Sequence, residues 1–407
     1  MIVDESLVVR EMEEILDRVR SAGLRLPASV VFAGGAFSCL GRYVASATAS
    51  GPILVVGGRF VRDRQCRLSL EEQFCRHDVP SIHYVEVRGE PTCESVQAAV
   101  TLARRVRPHT VVGIGGGSSL DTAKAVAALL TNSGTIEEYL EGGERTRQLE
   151  CAPAPQFAIP TTGGTGSEMT RNAVIGIPAR KLKRSLRDDR LLPTMALVDP
   201  DLTLSAPANV TLASGLDALT QLIEVCISKF ARPETTEACL KALRHVRWAL
   251  PRAIMEPTNR PARSAMTMAA SVSGLGLTNA GLGMAHGIAS ALGAVRPLPH
   301  GWICGVLLPH VLRVNRDAAE QPLARVLAAF LGEEEPKPGV VDRGLEELDR
   351  WYAALEVPAD LSSLGLTDAE IEEIAVGSMG NSMRGNPVVM TPREVARFLR
   401  RLCGKAP

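Results

Sequence analysis

Residues 110–124 read TVVGIGGGSSLDTAK, an apolar run that enters consecutive glycines and leaves them as an alanine-rich helical pattern. A buried strand that turns directly into a helix needs a sheet whose strands are joined by crossovers. Upstream the same alternation repeats, with short apolar runs at 30–33, 53–56 and 82–87 before the one at 110–114, and helical patterns over 93–106 and 119–130. Strands alternating with helices at this spacing predict a parallel sheet covered on both faces. The turns agree, since Gly34 and Gly35, Gly57 and Gly58, and Gly115, Gly116 and Gly117 each follow an apolar run.

Glycine lets backbone N–H groups approach a ligand with no Cβ in the way, and a helix amino terminus adds unpaired donors and partial positive charge. The triple glycine is therefore a candidate phosphate-binding turn. Ser118 and Asp121 stand three apart, as in a capping box, so part of the motif can equally serve to start the helix. A second glycine-rich loop, IPTTGGTGSEMT at 159–170, interleaves Thr161, Thr162 and Thr165 with glycines. Two such loops in one α/β domain suggest a dinucleotide with a pyrophosphate. After the second apolar run the chain reads VVGGRFVRDR, so Gly57, Gly58 and Arg59 occupy the place where a site for NAD often carries an acidic residue. Arginine there can pair with a 2′-phosphate, and NADP is the expected preference over NAD.

A chain of 407 residues, at about 150 per domain, has material for two or three domains. Its 45 basic residues balance 45 acidic ones, which leaves no single-sign field for nucleic acid. The amino terminus lacks the basic and apolar regions of a signal peptide. Residues 264–295 hold no Lys, Arg, Asp or Glu but contain six glycines and only seven Val, Leu or Ile, a composition poor for a lipid-facing helix and suited to close-packed buried helices. No membrane association is expected. Of nine cysteines no two are closer than nine positions, which excludes CxxC sites and fits a reducing cytoplasm.

Beyond about residue 205 the pattern becomes long and helical, and the expected division is an α/β domain over 1–200 and a helical domain over 201–407. Within 214–230, SGLDALTQLIEVCISKF, the residues Asp217, Gln221, Glu224 and Ser228 form a polar stripe along one side of a helix. Such a stripe is ordinarily a solvated face. Here it has company: His286 lies in the uncharged stretch and His300 follows in PLPHG. One carboxylate and two imidazoles from separate segments can form a divalent-metal site with open positions, without any cysteine.

The segments GGGSSLDTAK, PTTGGTGSEMT, ASGLDALTQLIE, AHGIASALG, PHGWICGVLLPHV and SMRGNPVVMT together resemble the iron-containing (group III) alcohol dehydrogenases, relatives of glycerol dehydrogenase and dehydroquinate synthase. The resemblance covers almost the whole chain. It implies a dinucleotide-binding domain, a helical domain, an active site in the cleft between them, and a homodimer or higher homo-oligomer. By position, Gly115, Gly116, Gly117 and Ser118 would hold the pyrophosphate, and Asp121 would lie toward the nicotinamide. Thr161, Thr162 and Thr165 would contact adenosine and phosphate, and Lys183 would face the nicotinamide ribose. Asp217, His286 and His300 match metal ligands for Fe2+ or Zn2+ and, with Lys183, form the expected reaction centre.

Two positions depart from the family. Gln221 stands where a ligand histidine is usual, and a carboxamide binds iron or zinc more weakly than imidazole does. Ser290 stands where many members place a second active-site histidine, so that proton relay is absent. The expected reaction is reversible hydride transfer between NAD(P)H and a small aldehyde, ketone or alcohol. The alternatives are a dehydroquinate-synthase-like cyclase and a metal-free relative with an altered reductase role or none in catalysis.

Overall fold

The protein is described here from a computed structural model covering residues 4–48, 50–143 and 146–406. The chain divides into two compact units. One comprises Arg25–Thr162 and Gly166–Ser205; the other takes the amino-terminal segment through Leu24, the loop Gly163–Thr165 and the chain from Ala206 onward. The helix Glu5–Ser21 thus groups with the helical unit, whereas the sequence division placed it in the α/β domain. Its side chains explain this: Glu11 pairs with His245 at 2.6 Å, and Glu5 accepts from the Ser264 hydroxyl at 2.9 Å.

The α/β unit is built on a six-stranded sheet of β1 (Ser29–Phe32), β2 (Ile53–Gly57), β3 (Ile82–Glu86), β4 (Thr110–Gly115), β5 (Gln156–Pro160) and β8 (Met195–Val198), in the order β1-β8-β5-β4-β2-β3. Every pairing in it is parallel. Alternation divides the side chains between the faces: Leu54, Val56 and Val111 pack with the helices Cys93–Val106 and Gly117–Thr131, while Ile53, Val55, Val112 and Ile114 pack with Leu40, Val44, Leu70 and Phe74. The α/β expectation and its four apolar runs match strands. β5 and β8 are additions, each a short run flanked by prolines and drawn into the sheet by its neighbours. An antiparallel hairpin of β6 (Asn172–Ile177) and β7 (Leu182–Arg187) completes the unit.

The latter half of GGGSSLDTAK fastens this unit together. Lys124, 1% exposed, donates from Nζ to the carbonyls of Thr170 at 2.8 Å and Asn172 at 3.1 Å, and to Thr170 Oγ1 at 2.7 Å. One turn earlier, Asp121 Oδ1 accepts from Ser167 Oγ at 2.7 Å and Oδ2 from the Val174 amide at 2.9 Å. The helix is thereby tied to the loop that follows β5 and to β6.

The other unit is a helical bundle around the helix Ala208–Ile227, which packs against Pro233–Met255, Arg260–Ala280 and His300–Asn315. That central helix is long and apolar enough to cross a membrane by length and composition, but 78% of its apolar window is buried inside the protein. It is a core helix.

Burial pulls the Lys124 ammonium from 10.5 down to about 8, against the opposing charges of Asp121 and Glu168. Below pH 8 both folded and unfolded chains hold this proton; between 8 and 10.5 only the unfolded chain does, so stability rises with pH across that window. The rise attributable to Lys124 is about 3 kcal/mol at most. Urea unfolding at stepped pH should show it in the wild type and lose it in Lys124→Met; equal pH slopes would refute it.

Candidate active site

In the α/β unit three glycine-bearing turns meet at the carboxyl ends of neighbouring strands, where open α/β sheets bind ligands. Gly115 has φ of +153°, and a Cβ there would lie 2.4 Å from Ser119 Oγ. A Cβ on Gly116 would stand 3.4 Å from Thr162 Oγ1, and the Thr161 amide donates to the Gly115 carbonyl at 3.0 Å, so the two glycine-rich loops adjoin. Gly57 closes β2 with no room for a side chain, since its Cβ would meet the Ile114 carbonyl at 2.6 Å. Gly58 and the exposed Arg59 open the short helix that follows.

The helix at the triple glycine starts at Gly117 behind Gly116 and carries no side-chain cap. The capping box expected from Ser118 and Asp121 does not form, because Asp121 is bonded to Ser167 and Val174 instead. Lys183 lies on β7 with Nζ 2.5 Å from Glu90 Oε2, and its side chain is 9% exposed.

In the helical unit the polar stripe is buried rather than solvated: Asp217 is 3%, Gln221 3%, Glu224 0% and Ser228 7% exposed. Each member has a partner that explains its burial. Ser228 donates to the Ala280 carbonyl at 2.9 Å. Glu224 accepts from the amides of Gly283 at 3.0 Å and Ala285 at 2.7 Å, and from His286 Nδ1 at 2.7 Å. It therefore caps the helix Met284–Val295 from outside, where a helix amino terminus favours negative charge. The other ring nitrogen, Nε2, stands 3.2 Å from Asp217 Oδ1, so the imidazole lies between two carboxylates and, when protonated, donates to both.

His300 opens the helix His300–Asn315. That helix comes close because Gly301 and Gly305 face the Asp217 helix; a Cβ on Gly301 would fall 2.1 Å from the Ala213 carbonyl and 2.7 Å from Asp217 Cβ. His300 Nε2 consequently stands 4.0 Å from Asp217 Oδ1, and its ring centroid 5.5 Å from that of His286. Gln221 donates from Nε2 to the Thr165 carbonyl at 3.3 Å, which leaves its buried Oε1 with no hydrogen-bond partner.

One residue the sequence reading set aside joins them. Cys304, fully buried, has its Sγ 3.6 Å from His300 Nε2, and one donor atom each from Asp217, His286, His300 and Cys304 lie within 4.8 Å of one another. The signal was the spacing His300 to Cys304, four residues on one helix face, which a search for paired cysteines passes over. Ser290 sits one turn beyond His286 on the same helix. Arg296, at that helix's carboxyl end, pairs with both oxygens of Glu370.

Burial and the neighbouring charges set the electrostatics of this cluster in opposition. Burial alone would raise Asp217, but the hydrogen bond from His286 and the charge of His300 hold its carboxyl below the ordinary value. Burial opposes charge on His286, yet Cys304, Asp217 and Glu224 push it well above the ordinary imidazole value, and His300 is raised as well. Burial pushes the Cys304 thiol up, and the two histidines more than reverse this. Two nitrogens, a carboxylate and an orphaned amide oxygen fit a divalent cation, whose binding displaces these protons.

Residues 27–200 match the family profile described as iron-containing alcohol dehydrogenase, and residues 211–403 match the carboxy-terminal profile of the same family. The chain belongs to the iron-containing alcohol dehydrogenase family. It is 33% identical over 321 residues to the NAD-dependent methanol dehydrogenase of Bacillus methanolicus, covering 78% of this chain and 83% of that protein. It is likewise 33% identical over 319 residues to the 1,3-propanediol dehydrogenase of Citrobacter freundii, covering 77% and 81%. Among solved structures, a 1,3-propanediol oxidoreductase superposes with a TM-score of 0.86 at 28% identity, over 93% of this chain and 99% of that one. The sulfoacetaldehyde reductase of Bifidobacterium kashiwanohense, in complex with NAD+, gives 0.82 at 26% identity, over 94% and 99%. Oxidoreductase activity of the family's type follows.

Glu224 accepts from His286 Nδ1 at 2.7 Å and so orients the ring. Glu224→Gln should cost about 10–100-fold in divalent-metal affinity, as loss of an outer partner does. Chelator competition measures this; an unchanged affinity would show that His286 needs no such orienter.

Proposed function

We propose that this protein is a metal-assisted, nicotinamide-dependent alcohol dehydrogenase that works as an aldehyde or ketone reductase in the reverse direction. The observation that carries the reading is the convergence of Asp217, His286 and His300 in the buried bundle, beside the unpartnered oxygen of Gln221. Asp217, His286 and His300 are the proposed ligands of Fe2+ or Zn2+, with Gln221 Oε1 adjacent as a weaker donor. When bound, the metal supplies Lewis acidity to the substrate oxygen and the nicotinamide exchanges hydride with the substrate carbon.

The chain's own residues supply position and charge. The uncapped amides at Gly115, Gly116, Gly117 and Ser118 receive the pyrophosphate, with Thr161, Thr162 and Thr165 as hydroxyl partners. Lys183 faces the nicotinamide ribose in this reading, and Asp121 holds the cofactor-side helix in place through Ser167 and Val174. Ser290 can pass a proton but cannot store one, so the ~10²–10⁴-fold that a histidine acid contributes is not available at that position.

Arg59, together with the absence of an acidic residue at Gly57 and Gly58, supports NADP over NAD. The cyclase reading is disfavoured, because it needs free basic residues for a phosphorylated substrate and Arg296 is bound to Glu370. The setting proposed is a soluble, cytoplasmic homodimer or higher homo-oligomer.

Asp217→Ala and His286→Ala should each lose bound metal and turnover together, read by elemental analysis alongside NADPH oxidation over an aldehyde panel. Full activity in a rigorously metal-free preparation would sink the Lewis-acid role. For the cofactor, Arg59→Ala should lower kcat/KM with NADPH by about 10–100-fold relative to NADH, the equivalent of one charge-assisted hydrogen bond. A wild type that prefers NADH, with no change in the variant, would overturn the NADP assignment.

A further inference from the structure

We infer that Cys304 binds the metal directly, so that the centre is a carboxylate–imidazole–imidazole–thiolate site suited to zinc. This rests on the reading that the site holds a divalent metal at all, and adds an anionic sulfur ligand to it.

The distances carry it. With metal–nitrogen and metal–oxygen bonds of about 2.1 Å and a metal–sulfur bond of about 2.3 Å, a tetrahedral centre has nitrogen–oxygen edges of roughly 3.4 Å and nitrogen–sulfur edges of roughly 3.6 Å. His286 Nε2 to Asp217 Oδ1 is 3.2 Å, His300 Nε2 to Asp217 Oδ1 is 4.0 Å, and His300 Nε2 to Cys304 Sγ is 3.6 Å. With all four donor atoms within 4.8 Å of one another, small side-chain adjustments bring each to bonding distance of one ion. Sequence geometry explains why the sulfur is there. His300 and Cys304 are four apart on one helix, and Gly301 and Gly305, also four apart, press that helix onto the Asp217 helix.

The competitor for the fourth position is Gln221, whose amide is tethered through Nε2 to the Thr165 carbonyl. Thiolate is the stronger ligand for zinc, and soft sulfur biases a site away from ions that prefer oxygen. The thiol releases its proton to solvent as the metal–sulfur bond forms. A shell closed by four protein ligands then leaves the substrate oxygen a fifth position, as zinc permits during reaction.

The test uses the full-length protein, its Cys304→Ser and Cys304→Ala variants, and Zn2+ or Co2+ added after chelator treatment and dialysis. X-ray absorption at the metal edge should find one sulfur at about 2.3 Å in the wild type and none in either variant. The Co2+ form should show a near-ultraviolet thiolate-to-metal charge-transfer band that both variants lose. Zinc affinity should fall in the variants by more than the roughly 10–100-fold typical of an outer partner. Stoichiometric metal with no sulfur in its shell overturns the Cys304 assignment and leaves the metal reading standing. A wild type that retains no metal overturns the metal reading itself and this assignment with it.

Discussion

The approach of two helices within backbone contact governs the centre. Residues 301 and 305 must be glycine for the helix His300–Asn315 to sit on the Asp217 helix, because side-chain carbons there would overlap Ala213, Asp217 and Leu216. Removing those carbons turns a helix face into a flat bed on which the flanking His300 and Cys304 reach Asp217. The same device operates at Gly283, whose Cβ would stand 2.8 Å from Glu224 Oε1. Glycine at 283, 301 and 305 therefore sets distances, and interiors packed this closely respond to even one added carbon.

A second constraint is how a carboxylate survives with no solvent. Glu224 is stabilised by two amides at a helix start and by an imidazole N–H, three donors aimed at two oxygens. Its position fixes both the start of the helix Met284–Val295 and the ring orientation of His286 within it. Asp217 lies on the other side of that ring, so the imidazole is held from both nitrogens. A cation bound at Nε2 would be held by a ring that Glu224 already orients, as carboxylate partners orient ligand histidines generally.

The sequence made the α/β half readable because buried parallel strands are continuous apolar runs, and the glycines mark where they end. It understated the sheet, since β5 and β8 are short and bordered by prolines such as Pro155 and Pro193. Periodicity found the polar stripe at 217, 221, 224 and 228 but could not say which way it faced. A stripe against solvent and a stripe against other helices have the same period, and only the surrounding helices decide. The helix Glu5–Ser21 was assigned by proximity in sequence, yet its partners, His245 and Ser264, lie more than 230 residues away. Cys304 was hidden for a related reason: its partners are histidines and an aspartate, so counting cysteines against one another could not reveal it.

Charge links the residues at 221 and 304. A ligand set of one carboxylate and three imidazoles leaves a divalent ion with one net positive charge in its shell. The set of Asp217, His286, His300 and the Cys304 thiolate brings that charge to zero. A neutral shell is easier to bury, which suits a centre in a bundle where Asp217 and Cys304 have almost no solvent contact. It is also a weaker electrophile, because sulfur donates electron density that imidazole does not. The balanced overall composition, 45 basic against 45 acidic residues, belongs to the same design. The helix that starts at Gly117 has no side-chain cap, so its terminus offers donors to an anion without a cationic side chain.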